Sequence, residues 1–252
     1  MLRGVAAIGL AIACGGCVTG ENVRFQARAQ QEALVRDGNQ ALVSRKKSSI
    51  VIIRPASRQF ASGARPVFVV GINNLTNAPL QFRVSDIEVV QNVGTTSVPL
   101  KVVTYEELVT EERNRQIFAA VVTGLAAGAN AVAASQQGHY SSSSTVYGPR
   151  GTYNVHTTGY SPVANAIAQD RAAAQNEAMI SATIERGQQN MAALEQTVIK
   201  DNTLLGGEWY GGQLHLSPLT SDGAARGGKN YVVSILVGNE RHDIEIVQGA
   251  AS

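Results

Sequence analysis

Short β-branched runs bounded by turn residues occupy residues 50–53, 66–73, 80–90 and 98–104, and each predicts a strand. Leu80, Phe82 and Val84 alternate with Gln81, Arg83 and Ser85, and Ile87 and Val89 keep the same register, so one face is dry and the other wet. Val67, Phe68, Val69 and Val70 offer no polar face, which predicts a central strand covered on both sides. Between these two strands, residues 73–79 read NNLTNAP, which is turn chemistry. The strand pattern stops at Tyr105 and returns with residues 208–216, 231–237 and 241–247, the last two joined as a hairpin through Gly238 and Asn239. Seven short antiparallel strands predict an immunoglobulin-like β-sandwich. Four strands precede the interruption and three follow, and neither half closes a sandwich alone, so residues 49–105 and 206–249 are expected to form one discontinuous domain.

The interruption, residues 106–205, has a helical period, which makes the chain α+β. Glu106, Glu107, Glu111 and Glu112 place negative charge where a helix N-terminus favours it. Residues 117–134, IFAAVVTGLAAGANAVAA, then run without a charge. Ser161 and Pro162 open a second helix reaching about Lys200, in which Ile180, Ile184, Gly187, Met191, Leu194 and Val198 mark the seam of one helix packed on another. An antiparallel helical hairpin follows. Gly124 and Gly128 sit among alanines in the first helix, and such small side chains let backbones approach closely, either within the hairpin or between copies. Eighteen uncharged residues span about 27 Å, just short of a hydrocarbon core. A single crossing would also separate the two halves of the sandwich, so packing is preferred over a membrane span.

The tip, residues 136–161, is rich in Ser, Thr and Tyr. Tyr140, Tyr147, Tyr153 and Tyr160 lie there with His139 and His156, and Arg150 is its one formal charge. Residues 145–153 are compatible with a small β-hairpin around Gly-Pro-Arg-Gly, and the whole tip equally with a low-complexity loop. The four tyrosines are candidate partner contacts.

The N-terminus carries an address. Arg3 gives a short positive region, residues 5–13 an apolar stretch, and small residues precede both cysteines of the chain, Cys14 and Cys17. This segment resembles the signal peptide of bacterial lipoproteins, in its first seventeen residues only. The resemblance implies cleavage before a cysteine, Cys17 with Cys14 as the fallback, followed by diacylglycerol attachment and N-acylation. Neither following residue, Val18 nor Gly15, is the aspartate that retains such proteins in the inner membrane, so the resemblance favours the outer membrane. Residues 1–16 would be the signal, and residues 17–48, polar and helix-compatible with Arg45, Lys46 and Lys47 at the end, a solvated tether.

Lys and Arg number 21, or 20 once Arg3 is removed, against 19 Asp and Glu. This balance does not suit a nucleic-acid binder, whose affinity comes chiefly from neutralising phosphates. Gly223, Gly228 and Lys229 have phosphate-loop spacing, but Asn230 stands where a hydroxyl should hold magnesium and a strand follows instead of a helix. No Cys, Asp or Glu lies between His139 and His156 to complete a metal shell. Trp209 and Tyr210 between Gly-Gly pairs fit a core tryptophan at a bulge better than an exposed platform. His215 and His242 fall in strands, where partial exposure is the default. No acid, base and nucleophile constellation emerges, and no cofactor is implied. The expectation is a non-enzymatic envelope lipoprotein, held to the membrane by covalent lipid, that meets an envelope protein or its own copies. The alternative is membrane remodelling or pore formation through residues 117–134, with a periplasmic enzyme a distant third and any small-molecule ligand unknown.

Overall fold

The computed structural model describes residues 20–36, 38–149, 151–220 and 228–250. Its strands are β1 (Gly20–Gln26), β2 (Gln31–Arg36), β3 (Asn39–Arg45), β4 (Ser49–Pro55), β5 (Phe60–Ala61), β6 (Val67–Asn74), β7 (Leu80–Val93), β8 (Thr96–Leu100), β9 (Val102–Val103), β10 (His139–Gly148), β11 (Gly151–Tyr160), β12 (Asn202–Leu204), β13 (Trp209–Leu216), β14 (Lys229–Val237) and β15 (Glu240–Ala250). The helices are α1 (Tyr105–Gln136) and α2 (Pro162–Thr197). The described residues form two compact units, one of those up to Val103 with those from Ile199 onward, and one of those in Thr104–Val198.

The first unit is all antiparallel β. One sheet has the order β12-β7-β14-β15-β1-β5, with β8 also on β7, and the other β2-β3-β4-β6-β13-β9. The fourteen-residue β7 serves three neighbours: β14 along one edge, and β12 and β8 at its two ends on the other. Residues of both sheets meet in one core, where Phe82, Tyr231, Ile235 and Ile244 of the first face Leu42, Ile53, Phe68 and Leu214 of the second. Alternation decides which residues enter: in β15, His242, Ile244, Ile246 and Gln248 are buried while their neighbours are partly exposed. The turn between β14 and β15 is the expected two-residue loop, with Val237 opposite Glu240 and Gly238 at φ +58°, a conformation that favours glycine.

Three expectations are corrected. The unit contains thirteen strands among the described residues, not seven. Residues 20–45 are not a solvated tether: β1 pairs with β15 and β5, while the β2–β3 hairpin extends the second sheet at β4. The physical reason is alternation masked by polarity. Val23 and Phe25 point into the core while Arg24 and Gln26 point out, and Gly38, at φ +75°, makes the β2–β3 turn. β1 is fastened by a buried polar cluster in which Glu21 accepts from Lys229 Nζ at 2.8 Å, Gln248 Nε2 at 2.7 Å and Ser62 Oγ at 2.8 Å. Burial pushes the Glu21 carboxyl up, yet these hydrogen bonds outweigh it and hold the group below the usual carboxylate value. β6 is central by pairing, but Val67 and Val69 are only half-buried, so it is not covered on both faces.

The second unit is α1, the β10–β11 hairpin and α2. Thr104 caps α1 through a capping box with Glu107, and Ser161 caps α2 with Pro162 at its first turn. At 1.5 Å per residue the helices run about 48 and 54 Å.

Candidate interaction surface

The two helices meet along a polar seam. Glu112 accepts from Asn190 Nδ2 at 2.9 Å, Gln116 Nε2 donates to the Gly187 carbonyl at 3.0 Å, the Thr123 and Thr183 hydroxyls lie 3.1 Å apart, and Asn130 Nδ2 donates to Asn176 Oδ1 at 3.0 Å. Asn176 in turn donates to the Ala127 carbonyl at 3.1 Å. The α1 partners recur at intervals of four and seven residues, which keeps them on one face. Close approach is made at Gly187, where a Cβ would stand 2.9 Å from the Gln116 side chain. The seam therefore runs through Asn176, Thr183 and Gly187, whereas Ile180 and Ile184, expected on it, point outward and are exposed.

The apolar residues lie on the outside. Ile117, Phe118, Val121, Leu125 and Val132 of α1 and Val163, Ile167 and Ile184 of α2 are exposed, with Phe118 at 70% and Leu125 at 71%. This inverts the ordinary amphipathic arrangement, in which the apolar stripe is covered by its neighbour. Among the described residues α1 is the one helix long and apolar enough to cross a membrane, and nearly all of that stretch is uncovered. α2 beside it carries Asp170, Arg171, Glu177, Glu185 and Arg186. Gly124 and Gly128 lie on the exposed side of α1, and a Cβ at either would meet nothing within 4 Å, so the hairpin itself makes no use of them.

The tip folds as a ten-pair antiparallel hairpin, from His139 opposite Tyr160 to Gly148 opposite Gly151, without a register shift. Its base is locked by aromatic rings over glycines. A Cβ on Gly159 would collide with the Tyr140 ring, one on Gly138 would collide with Tyr160, and the His139 and Tyr160 rings stand 5.0 Å apart. Asn165, with its amide nitrogen toward the end of α1, donates to the Ala134 carbonyl at 3.1 Å and accepts from the Tyr160 hydroxyl at 2.9 Å. Tyr140 and Tyr160 thus build the hairpin, while Tyr153 covers Gly148 at the far end and Tyr147, 82% exposed, is the most open of the four. His156 lies opposite Ser143, four residue pairs along the hairpin from His139.

Sequence reasoning missed a buried constellation in the first unit. His242 of β15 is fully buried between the sheets, not partly exposed: its Nδ1 lies 2.9 Å from Ser44 Oγ and its Nε2 2.9 Å from Ser49 Oγ. Ser49 Oγ donates to Glu240 Oε2 at 2.6 Å, and the same carboxylate accepts from the Ser48 N–H at 3.0 Å. With the serine proton on Glu240, Nε2 must donate to Ser49 and Nδ1 accept from Ser44, a neutral tautomer assigned by the network. The polarity is opposite to that of a serine activated by an imidazole base, and both side chains are sealed from solvent. The group works as a clasp joining β3 and β4 to β15. Burial, helped by Lys46, pushes the His242 imidazole down to about 4 against the pull of Glu240 and Asp243.

Trp209, expected in the core, is 55% exposed and rests on Gly71, while Tyr210 is half-buried and exchanges hydrogen bonds of 2.9 Å with the Lys200 backbone. Among the described residues no three His, Cys, Asp or Glu side chains gather as a metal site. Cys14 and Cys17 lie outside the described residues, as does Gly223. The chain matches no protein-family model, and no curated protein or solved structure proved similar to it.

Proposed function

We propose that this chain is a non-enzymatic, lipid-anchored envelope protein in which the β unit serves as a scaffold and the helical hairpin as a protein-interaction surface. The observation that carries this is the inverted hairpin: hydrogen-bonding side chains occupy the seam while Phe118, Val121 and Leu125 face outward. Contiguous exposed apolar surface of this kind marks interaction sites. The anchor rests on the N-terminal sequence alone, with Cys17 as the acylated residue, Cys14 the fallback, and the outer membrane the destination; two or three acyl chains, at about 0.8 kcal/mol per methylene, would hold the protein firmly.

The scaffold is read as an enlarged immunoglobulin-like sandwich. Support comes from strand order: β4, β6, β13 and β9 lie side by side in one sheet, and β8, β7, β14 and β15 in the other. Numbered by sequence with β8 and β9 as one interrupted strand, this is the A-B-E-D and C-F-G arrangement of such domains, to which β1, β2 and β3 are added at the edges.

A second reading, membrane remodelling through α1, is favoured by the uncovered apolar stretch at residues 117–134. Charged residues on α2, among them Asp170, Arg171, Glu177, Glu185 and Arg186, count against lipid as the covering medium. Light scattering on the full protein, with a liposome-leakage assay in parallel, separates the two. Assembly without leakage, lost in a Phe118→Ser, Leu125→Ser variant, supports the interaction surface. Leakage by the unassembled protein supports remodelling.

A further inference from the structure

The β10–β11 hairpin presents two open strand edges. Among the described residues neither strand pairs with any other, and every residue of both is exposed apart from the half-buried Gly148 and Gly159. Monomeric proteins protect such edges with charge, proline, bulges or a covering element. Among the described residues none of these devices is present: neither strand contains Lys, Arg, Asp, Glu or Pro, and the register runs unbroken for ten pairs. An isolated two-stranded hairpin is also marginal in water.

We infer that copies of this chain associate through these hairpins, β10 of one copy pairing with β11 of the next, to close a β-barrel. This deepens the proposal that the helical hairpin unit is an interaction surface, and it rests on that proposal. The occupant has to be a strand, because the edge offers backbone N–H and C=O groups that neither a helix nor a lipid tail can satisfy. A second copy is the strand that fits. Its complementary edge has the same ten-residue length, no charge repels it, and antiparallel order continues across the junction. The faces continue as well. Ser141, Ser143 and Thr145 stand opposite Thr158, His156 and Asn154, so repeated hairpins place a hydroxyl-rich row around one side, with cross-strand Ser and Thr hydrogen bonding available at each step. Tyr140, Val146, Tyr153 and Val155 line the other side. Head-to-tail pairing of this kind forms a ring when its rotation closes, and the native twist of strands supplies the curvature.

The test compares the full lipidated protein with two variants by size-exclusion chromatography with light scattering in detergent. In one variant residues 139–160 are replaced by Gly-Asn-Gly, which the 2.7 Å bond from the Ser161 N–H to the Gly138 carbonyl should tolerate at the helix ends. The other is Ser143→Pro with Thr157→Pro, which keeps length and composition. The parent should show one discrete multiple of the protomer mass and both variants the protomer, with helical circular dichroism retained. Hydrogen exchange adds a second readout. In a lone hairpin the outward-facing amides of 139–160 exchange rapidly, whereas in a closed barrel all are slowed together. A parent that is monomeric, or one whose outward amides exchange rapidly, overturns the inference, as does an open-ended size distribution. If the variants keep the oligomer but Phe118→Ser, Leu125→Ser loses it, the β-edge inference fails while the interaction surface stands.

Discussion

Protonating His242 should loosen the β unit before its carboxylates titrate. The imidazole is fully buried, accepts from Ser44 and donates to Ser49, and burial lowers its value from 6.5 to about 4. A depressed folded value means the unfolded chain takes the proton first, so stability present above pH 6.5 is lost as pH falls toward 4. A gap of this size corresponds to roughly 2 kcal/mol at pH 5, where the unfolded imidazole is almost wholly charged and the folded one is not. Glu21, Glu240 and Asp243 are held below their usual values and lose their contributions in a more acidic window, so the two effects separate. The assay is urea unfolding followed by Trp209 fluorescence at pH 7 and pH 5, on the parent and on His242→Gln, which keeps a donor and an acceptor but cannot titrate. The parent should lose about 2 kcal/mol between the two pH values. The variant should start lower, by about 1 to 2 kcal/mol for imperfect hydrogen bonds, and stay level. Equal acid sensitivity in both proteins would refute the assignment of a buried neutral imidazole.

Four further outcomes follow from the same geometry. Replacing residues 104–198 by a short Gly/Ser linker should leave a cooperatively folding β unit, because Val103 pairs with His215 while the Ile199 N–H donates to the nearby Gln213 carbonyl at 3.0 Å, so both chain ends lie along β13; loss of the cooperative urea transition would show that the helices complete the core. Lys229→Met should cost about 3 to 5 kcal/mol in the same denaturation assay, by stranding the buried Glu21 carboxylate, and a loss under 1 kcal/mol would place the pair in effectively solvated surroundings. Gly124→Ala and Gly128→Ala should each raise helix stability by up to about 1 kcal/mol, since both positions are open, whereas leucine at either should abolish assembly in light scattering; leucine variants that stay assembled would remove these glycines from the interface. Palmitate labelling should vanish in Cys14→Ala, Cys17→Ala, and labelling lost in Cys14→Ala alone would move the lipid site.

Much of the fold was legible because its signals are local. Period-2 alternation marked β7 and β15, β-branched runs marked β4, β6 and β14, and Gly238 with Asn239 marked a turn. Ser161 with Pro162 marked the start of α2. The strands at 20–45 escaped because only Glu21, Val23 and Phe25 of β1 and Leu42 and Ser44 of β3 are buried, and their polar neighbours suit a helix or linker equally well. β2 is an edge strand with Val35 72% exposed, so burial leaves little pattern in it. The helical seam was placed correctly at Gly187 but not at Ile180 and Ile184, for a different reason. Apolar spacing identifies a buried face only when apolar residues are the ones covered, and here Asn, Thr and Gln are covered while Ile180 and Ile184 are not. His242 was invisible because its partners, Ser44 and Ser49, lie almost two hundred residues away in sequence and are brought to it by sheet packing.

The central claim is that the outward apolar side of α1 is covered by protein. A photoreactive phenylalanine analogue placed at Phe118 in the full chain, activated in intact cells and read by mass, tests it most directly. The account predicts a discrete protein adduct at Phe118 and none at the seam residue Thr123, which already faces α2. Adducts confined to lipid, or an unreacted probe, would contradict it.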